Sequence, residues 1–533
     1  MPRFQPGELR WATGCGTVIL ACASLPYVVA WLLTPGGYGY TWVLSSAFDV
    51  FSYYAKIQQS ASGAWLLTLP YTSEPHSAAF LYPQYVLLGK LGALTGLPNA
   101  ALYHLLRIGA GAALLAAGYL FIATVATQQP VRRAALLFTG LGGGLSWFTS
   151  LFGVIGIDTT VPESNTFHTL LVNPHFALAT AASLMVINLA LGAGFRLSGR
   201  GAAASSVLAA AAVAMQPFFV PLAAGVGVTW TLLTVLRDGV RRPRVDVRLL
   251  APVVTAMGVA GLMWLQLQGD PILARWTAQN QTPSPSPLHL LAGYGLLAPL
   301  ALVGGIQAWR APEAAGLDRR AALVALAWVI AVPVLFYLPT QFQRRLTEGA
   351  HIPMSVLAAV GLWWLAQRLG TGAWPWLRLG AAATLITGTL WMTALMVGGA
   401  VSLRIPFFLP QDDLAALAWF HQNATPGEIV LASPTMGNVI PGYAPVRAYW
   451  GHAFETVDAE TKLGPVIRFF NAAAVERERC QLLADGSITY VYEGAVERRD
   501  LAGASLSGQP GLSVAFQLGG ATVYRVTDCT PGR

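Results

Sequence analysis

The hydrophobic residues of this chain are grouped in long runs, and the polar residues are grouped between these runs. Eleven apolar runs, most of them near the ~20 residues that cross a lipid bilayer, are separated by polar stretches. The runs lie near residues 13–33, 102–126, 134–153, 176–195, 203–216, 219–236, 249–267, 290–309, 321–339, 351–367 and 379–400. The pattern predicts about 11 transmembrane helices, with Gln216-Pro217 as a turn between two of them.

After residue 410 the pattern becomes that of a soluble domain. Predicted helices at 412–421, 458–473 and 475–484 alternate with predicted strands at 428–432, 446–450 and 488–493. Two further strands, 512–517 and 521–526, are expected to form a hairpin through Gly519-Gly520. We therefore predict a transmembrane domain at 1–410 and a small α/β domain at 411–533.

Composition supports a membrane protein. Hydrophobic residues make up 55% of the chain and charged residues 11%, and the mean hydropathy is +0.54. Soluble domains carry about 25% charged residues. The formal net charge of +8 comes largely from short basic clusters between apolar runs, so it does not indicate a nucleic-acid partner. The expected surroundings are membrane lipid.

The basic clusters also predict an orientation. With the N-terminus in the cytoplasm, 16 of the 22 lysines and arginines before position 400 fall in inner segments, as the positive-inside rule requires. An odd number of spans then places the C-terminal domain outside the cytoplasm. Cys480 and Cys529 of that domain could form a disulfide there, or they could be two unrelated buried thiols.

Polar chemistry gathers on the outer side. All eight histidines fall in outer segments or at outer span ends, which suggests a metal-binding or proton-handling surface. The two long outer loops, 35–101 and 154–175, are where function is expected. Glu74 and His76 in the first loop, and His175 at the end of the second, are candidate substrate-binding residues.

The stretch 45–56 follows the first span directly and carries an acid. As a helix along the membrane interface it would place Asp49, Tyr53 and Lys56 on one face. An acid at the membrane edge is a functional candidate. We interpret Asp49 as catalytic and Tyr53 and Lys56 as substrate-binding. The alternative is an ordinary loop acid.

The second outer loop combines acids with a histidine. Asp158, Glu163 and His168 lie within a dozen residues, which suggests a catalytic cluster or a divalent-cation site. We expect them to converge on one site that faces Asp49. The alternative is a polar loop that caps helix ends.

Two adjacent arginines, Arg344 and Arg345, break the positive-inside trend near the outer end of a span. A guanidinium offers a rigid fork of donors that fits a phosphate, so we predict a phosphate site here. The alternative is a salt bridge from either arginine to Glu348.

Together these features form a known arrangement. Over residues 40–400 the chain resembles the GT-C superfamily of membrane glycosyltransferases, which includes oligosaccharyltransferases, protein O-mannosyltransferases and lipid A aminoarabinose transferases. The resemblance lies in the architecture. It implies a GT-C-like polytopic α-helical fold, with the small α/β domain outside the cytoplasm. It further implies a hexosyl- or related transferase of the cell envelope that uses a polyprenyl-phosphate-linked sugar donor.

The resemblance also implies roles for single residues. Asp49 matches the first-loop acid, and Asp158 and Glu163 match the second-loop acids, often found with a divalent cation such as Mg²⁺ or Mn²⁺. Here those two acids are five residues apart, unlike the Asp-x-Asp/Glu pair of oligosaccharyltransferases. The implied mechanism has Asp49 as general base on an acceptor hydroxyl, inversion at the sugar, and the donor phosphate on Arg344 and Arg345. The acceptor could be a lipid, a glycan or a protein.

Two other classes of protein fit part of the pattern. A transporter or lipid-binding membrane protein would place ionisable residues near the bilayer midplane, whereas the apolar runs here are nearly free of charge. An acyl- or phospholipid transferase would share the outer acids and histidines. Both remain alternatives.

Overall fold

The computed structural model describes residues 2–239, 246–369, 374–402, 404–471, 473–502, 504–527 and 529. Within these ranges, eight helices are long and apolar enough to cross a membrane. They are Glu8–Leu32, Asn99–Val125, Pro174–Gly192, Phe219–Asp238, Val247–Gln268, Arg319–Phe336, His351–Leu369 and Leu379–Val401. Two bent helix pairs raise the number to as many as 10. These pairs are Gln129–Leu141 with Ser146–Phe152, and Pro287–Tyr294 with Leu297–Arg310.

Each of the 11 apolar runs of the sequence coincides with helix, which confirms a polytopic helical architecture. The number of spans stays a prediction, because Gly199–Met215 is a shorter apolar helix of 17 residues. Gln216-Pro217 does separate it from the helix that follows. Three of the 16 basic residues counted in inner segments lie outside the described residues, namely Arg241, Arg242 and Arg244.

The chain forms two compact units. The helical unit comprises Met1–Leu25, Leu106–Leu262 and Thr282–Leu395. The mixed unit comprises Pro26–Leu105, Met263–Gln281 and Met396–Arg533. The first outer loop therefore shares a unit with the C-terminal region, although hundreds of residues separate them in sequence. The division into a transmembrane domain at 1–410 and an α/β domain at 411–533 stays a prediction.

The predicted first outer loop contains two helices, the first of which covers most of the predicted helical stretch 45–56. The Asp49 helix spans Ala47–Ala61, and a second helix spans Pro83–Thr95. Strand β1 (Tyr38–Tyr40) pairs antiparallel with β2 (Phe408–Pro410). This pairing, which the apolar pattern did not predict, joins the start of the first loop to the chain that leads into the C-terminal domain.

The C-terminal region has the expected α/β character. Its sheet contains β3 (Ile429–Leu431), β4 (Arg447–Ala448), β5 (Tyr490–Glu493), β6 (Leu512–Leu518) and β7 (Ala521–Val526), in the order β4-β3-β5-β7-β6. Strand β3 runs parallel to β4 and β5, whereas β7 runs antiparallel to β5 and β6. The predicted final hairpin is confirmed. The helices of this region are Gln411–Asn423, Pro434–Val439, Ala459–Phe469, Glu476–Asp485 and Ala495–Asp500.

A disulfide closes this region. Cys480 on the helix Glu476–Asp485 is bonded to Cys529 beyond β7, with their Cα atoms 5.3 Å apart, within the usual range for a bridge. Of the two alternatives left open by the sequence, the structure has the disulfide.

The remaining α-helices are short and lie in connecting segments. Ile157–Thr160 and Thr166–Val172 belong to the second outer loop, and Pro271–Gln279 belongs to the mixed unit.

Candidate active site

Asp49 lies in the first turn of its helix, where the helix dipole favours a carboxylate. Ser46, the residue just before this helix, adopts a left-handed conformation with φ 48°, which turns the chain into the helix. The side-chain amide of Asn438 donates to the carbonyl of Phe48 at 3.2 Å and fixes this first turn. The carboxylate of Asp49 is 51% exposed, so it is accessible to a substrate.

A histidine of the C-terminal region meets this carboxylate. His452 Nε2 lies 3.6 Å from Asp49 Oδ1, and the His452 side chain is only 4% exposed. Its other nitrogen, Nδ1, accepts hydrogen bonds from the backbone N–H groups of Phe454 and Glu455 at 3.1 and 3.2 Å. Asp49 therefore has beside it a buried imidazole whose other nitrogen is hydrogen-bonded to the backbone.

A buried ion pair lies two turns further along the same helix. Lys56 Nζ is 2.8 Å from Glu455 Oε1, and Ser52 donates to the same oxygen at 2.5 Å. Lys56 also donates to Ser52. Burial opposes the ionisation of Glu455, but the neighbouring Lys56 ammonium lowers its pKa. Lys56, which the sequence predicts to bind substrate, is only 2% exposed. Its ion pair with Glu455 connects the helix to the loop that carries His452.

Tyr53, the third residue of the predicted face, is also buried. Its ring stacks on Tyr85 at a centroid distance of 4.8 Å and on Tyr103 at 6.3 Å. Burial raises the pKa of the Tyr53 phenol well above its usual value. The sequence therefore identified a real helix face, most of which packs inside the mixed unit.

Glu74 and His76 stabilise the first loop. Lys462 Nζ lies 2.6 Å from Glu74 Oε1, and despite partial burial this contact lowers the pKa of Glu74. His76 Nε2 accepts from the backbone N–H of Leu69 at 2.8 Å, and burial lowers its pKa. Both side chains are engaged within the protein, so their role in substrate binding stays a prediction.

In the helical unit, Asp158 is 1% exposed and its two carboxylate oxygens have partners. Oδ2 accepts from the backbone N–H of Gly144 at 2.9 Å, and Oδ1 accepts from the Ser146 hydroxyl. Burial outweighs these hydrogen bonds and raises the pKa of Asp158 to about 6. This arrangement ties the second loop to the segment just before it.

Glu163 and Arg345 form an ion pair with a separation of 3.2 Å. The guanidinium of Arg345 also lies over the ring of Phe218, 5.3 Å from its centroid. Glu348 instead accepts from the Thr180 hydroxyl at 3.3 Å. Burial, together with the nearby Glu163 carboxylate, raises the pKa of Glu348 well above its usual value.

The neighbouring arginine differs from Arg345. Arg344 is half-buried, and its Nε has no hydrogen-bond partner among the described residues. A donor in this state retains the capacity to bind an anion.

The residues predicted to hold a cation do not assemble a site for one. His168 is buried with Nδ1 3.1 Å from the carbonyl of Asp158, and burial lowers its pKa to about 4. Glu163 forms an ion pair with Arg345. No group of three His, Cys, Asp or Glu side chains in the described ranges could hold a metal ion. The residues present therefore do not fit the expected Mg²⁺ or Mn²⁺.

Part of the second loop follows the helix-capping alternative. The Asn165 side chain accepts from the backbone N–H of His168 at 3.1 Å and caps the helix Thr166–Val172. His175 is buried, with its ring 4.2 Å from that of Phe176. Asp49 belongs to the mixed unit and Asp158 to the helical unit, so the predicted convergence of the two acids stays a prediction.

The sequence singled out neither His452 nor Glu455 as a residue close to the Asp49 helix. The available signal was position: His452 follows β4, and β4 runs parallel to β3. Residues just beyond the carboxyl ends of parallel strands often carry function.

Comparisons with known proteins give a fold. No protein-family model and no curated protein matches the chain, but solved structures do. The oligosaccharyltransferase of Archaeoglobus fulgidus in its apo form aligns with a TM-score of 0.55 at 13% identity, covering 96% of this chain and 74% of that one. The archaeal oligosaccharyltransferase AglB in complex with an inhibitory peptide and a dolichol-phosphate gives 0.54 at 14%, covering 98% and 75%. ArnT from Cupriavidus metallidurans in the apo state gives 0.50 at 17%, covering 96% and 98%. The chain therefore has the fold of the GT-C membrane glycosyltransferases, as its sequence architecture indicated.

Proposed function

We propose that this protein transfers a sugar from a polyprenyl-phosphate donor to an acceptor hydroxyl, with inversion, at the outer membrane face. The fold is that of enzymes of this class, and one neighbour structure contains a dolichol-phosphate. The observation that carries the proposal is the half-exposed carboxylate of Asp49 at the start of a first-loop helix, beside a buried histidine.

The proposed reaction is a single displacement. Asp49 accepts the proton of the acceptor hydroxyl as its oxygen attacks the anomeric carbon. The bond from that carbon to the phosphate oxygen breaks, and polyprenyl phosphate leaves with the electron pair. Attack from the face opposite the phosphate inverts the anomeric configuration. General base catalysis contributes about 100- to 10,000-fold.

The donor phosphate is assigned to the arginine pair, with unequal roles. Arg345 is already ion-paired with Glu163, so much of its charge is compensated. Arg344 has an unpartnered Nε among the described residues and is the better phosphate ligand. Arg345 supports it by holding the second loop. No step runs through a metal ion.

The orientation follows the same reasoning. The arginine distribution favours a cytoplasmic N-terminus. The bridge between Cys480 and Cys529 suits an oxidising compartment, which supports placing the C-terminal region outside the cytoplasm.

The test uses the full chain in lipid nanodiscs. A panel of undecaprenyl-phosphate monosaccharides is supplied with a cell-envelope extract as acceptor, and released undecaprenyl phosphate is measured by mass spectrometry. We expect release from one donor by the wild type and its loss in Asp49→Asn. If all donors bind without release, the lipid-binding alternative is favoured. Equal release by Asp49→Asn would remove the base role.

A further inference from the structure

We propose that His452 is a positioning residue for Asp49, with its Nε2–H directed at Oδ1 of the carboxylate. In this arrangement His452 orients the carboxylate that meets the acceptor hydroxyl. The inference rests on the proposed function, in which Asp49 is the base.

The tautomer of His452 follows from its backbone partners. Nδ1 accepts from two N–H groups, those of Phe454 and Glu455, so it must present a lone pair. The proton of the neutral ring therefore resides on Nε2, the nitrogen that lies 3.6 Å from Asp49 Oδ1. The geometry thus aims a donor at the carboxylate.

The ring is held in place on several sides. Phe48 meets it edge-on at a centroid distance of 5.8 Å, and Tyr71 lies at the same distance. Gly451 permits this approach, because a Cβ there would come within 2.5 Å of the Tyr71 ring. The Thr456 hydroxyl accepts from the backbone N–H of His452 at 3.2 Å. An imidazole fixed in this way can orient a half-exposed carboxylate.

The buried ion pair extends this support. Glu455 follows within the same short loop, and its carboxylate is joined to Lys56 and Ser52 of the Asp49 helix. The loop and the helix are thereby linked at two points, one at Asp49 and one about two turns away. The relative position of His452 and Asp49 is therefore fixed by a contact that does not involve either residue.

His452 is not itself the base. Nδ1 is occupied by backbone donors, Nε2 faces Asp49, and the side chain is almost fully buried. A distance of 3.6 Å is longer than a hydrogen bond, and such contacts commonly tighten when substrate binds. Asp49 therefore meets the substrate, and His452 acts through Asp49.

Two substitutions separate this role from simple support of the loop. His452→Asn keeps an acceptor near the Nδ1 position but does not reach Asp49. His452→Gln places an amide N–H near the Nε2 position. Loss of a hydrogen bond to a charged group corresponds to about 10- to 100-fold in rate. We expect His452→Asn to lose that factor in kcat with the donor KM unchanged, and His452→Gln to recover much of it. His421→Gln, at an exposed histidine of the same unit, is the control.

A spectroscopic measurement tests the geometry without turnover. In full-length protein labelled with ¹⁵N-histidine, the His452 signal is assigned by its absence in His452→Asn. We expect a protonated Nε2 and an unprotonated Nδ1, and a shift of the Nε2 signal in Asp49→Asn with the His421 signals unchanged. The opposite tautomer, or an Nε2 signal insensitive to Asp49→Asn, would overturn the proposal.

The kinetic outcomes distinguish the two proposals. If Asp49→Asn abolishes turnover while His452→Asn behaves as wild type, the positioning role is wrong and the base role stands. If Asp49→Asn retains wild-type turnover, the base role fails, and the positioning role fails with it.

Discussion

Two acids that the sequence placed together as catalytic have opposite surroundings. The carboxylate of Asp49 is half-exposed at the start of a helix and faces one imidazole nitrogen at 3.6 Å. Asp158 is buried, and both of its oxygens accept hydrogen bonds from the neighbouring turn. A base must reach its substrate, whereas an acid whose lone pairs are used internally holds the chain together. The comparison favours the proposed base role of Asp49 and a structural role for Asp158.

The same distinction applies to the two arginines. Arg345 is matched by a buried carboxylate, Glu163, much as Asp158 is matched by backbone and hydroxyl donors. Arg344 retains a buried N–H without a partner among the described residues. In both pairs, the more exposed or less fully compensated residue is the better candidate for binding substrate.

The largest effect is expected at Asp49. Asp49→Asn should reduce release of undecaprenyl phosphate by about 100- to 10,000-fold, because the asparagine side chain cannot take up the proton of the acceptor hydroxyl. The thermal unfolding midpoint should stay near the wild-type value, since the carboxylate is half-exposed. Glu460→Gln, at an exposed acid of the same unit, is the matched control. A comparable loss of turnover in Glu460→Gln would show that the effect is not specific to Asp49, and the base role would fail.

Asp158 should affect stability instead, in a pH-dependent way. Its pKa in the folded protein is raised to about 6 from 3.8, so the fold binds its proton more tightly than the unfolded chain does. Its contribution to stability is therefore highest below about pH 4 and falls as the pH rises to about 6, by on the order of 3 kcal/mol.

The neutral variant Asp158→Asn should lack this fall, and its unfolding midpoint should change less between pH 4 and 6 than that of the wild type. Scanning fluorimetry across this range makes the measurement, with Glu313→Gln at an exposed acid as control. Parallel profiles for wild type and Asp158→Asn would contradict the assignment.

The arginine pair should show a smaller, divided effect. Arg344→Ala should raise the donor KM by about 10- to 100-fold and leave the unfolding midpoint unchanged. Arg345→Ala should lower that midpoint, because it leaves Glu163 buried without its ion-pair partner. Thermal shifts produced by undecaprenyl phosphate report binding in both variants. An unchanged donor KM in Arg344→Ala would place the phosphate elsewhere.

The disulfide should have the smallest effect on turnover. Cys480 and Cys529 are 49 positions apart in sequence, so their bridge stabilises the C-terminal region by up to about 4 kcal/mol without touching Asp49. In a variant with Cys15 and Cys22 replaced by serine, a membrane-impermeant maleimide should label intact cells only after reduction. Labelling that requires lysis would overturn the orientation.

Much of the fold could be predicted from sequence, because its causes are local. Apolar runs marked every long helix, and strand alternation around Gly519-Gly520 marked the final hairpin. The face shared by Asp49, Tyr53 and Lys56 was also predicted from helical spacing. Pairing between β1 and β2 was not, because its two strands are far apart in sequence.

The site was harder to predict, because burial and partners depend on distant parts of the chain. Lys56 looks available in sequence, but its counter-ion is Glu455. The sequence predicts a catalytic Asp158 but does not show that Gly144 and Ser146 donate hydrogen bonds to its oxygens. His452 was one of eight histidines that the sequence placed on the outer side, and only its position after β4 distinguished it.

The ion pair between Lys56 and Glu455 has a consequence for how the protein is made. The two residues are 399 positions apart, which a ribosome covers in about 20–80 s at typical synthesis rates. During that interval the first-loop lysine has no access to its partner, and the Asp49 helix of the nascent chain lacks this ion pair. Any product that ends before Glu455 would keep its membrane helices yet leave this lysine without its counter-ion. Formation of this ion pair is thus coupled to the synthesis of nearly the whole chain.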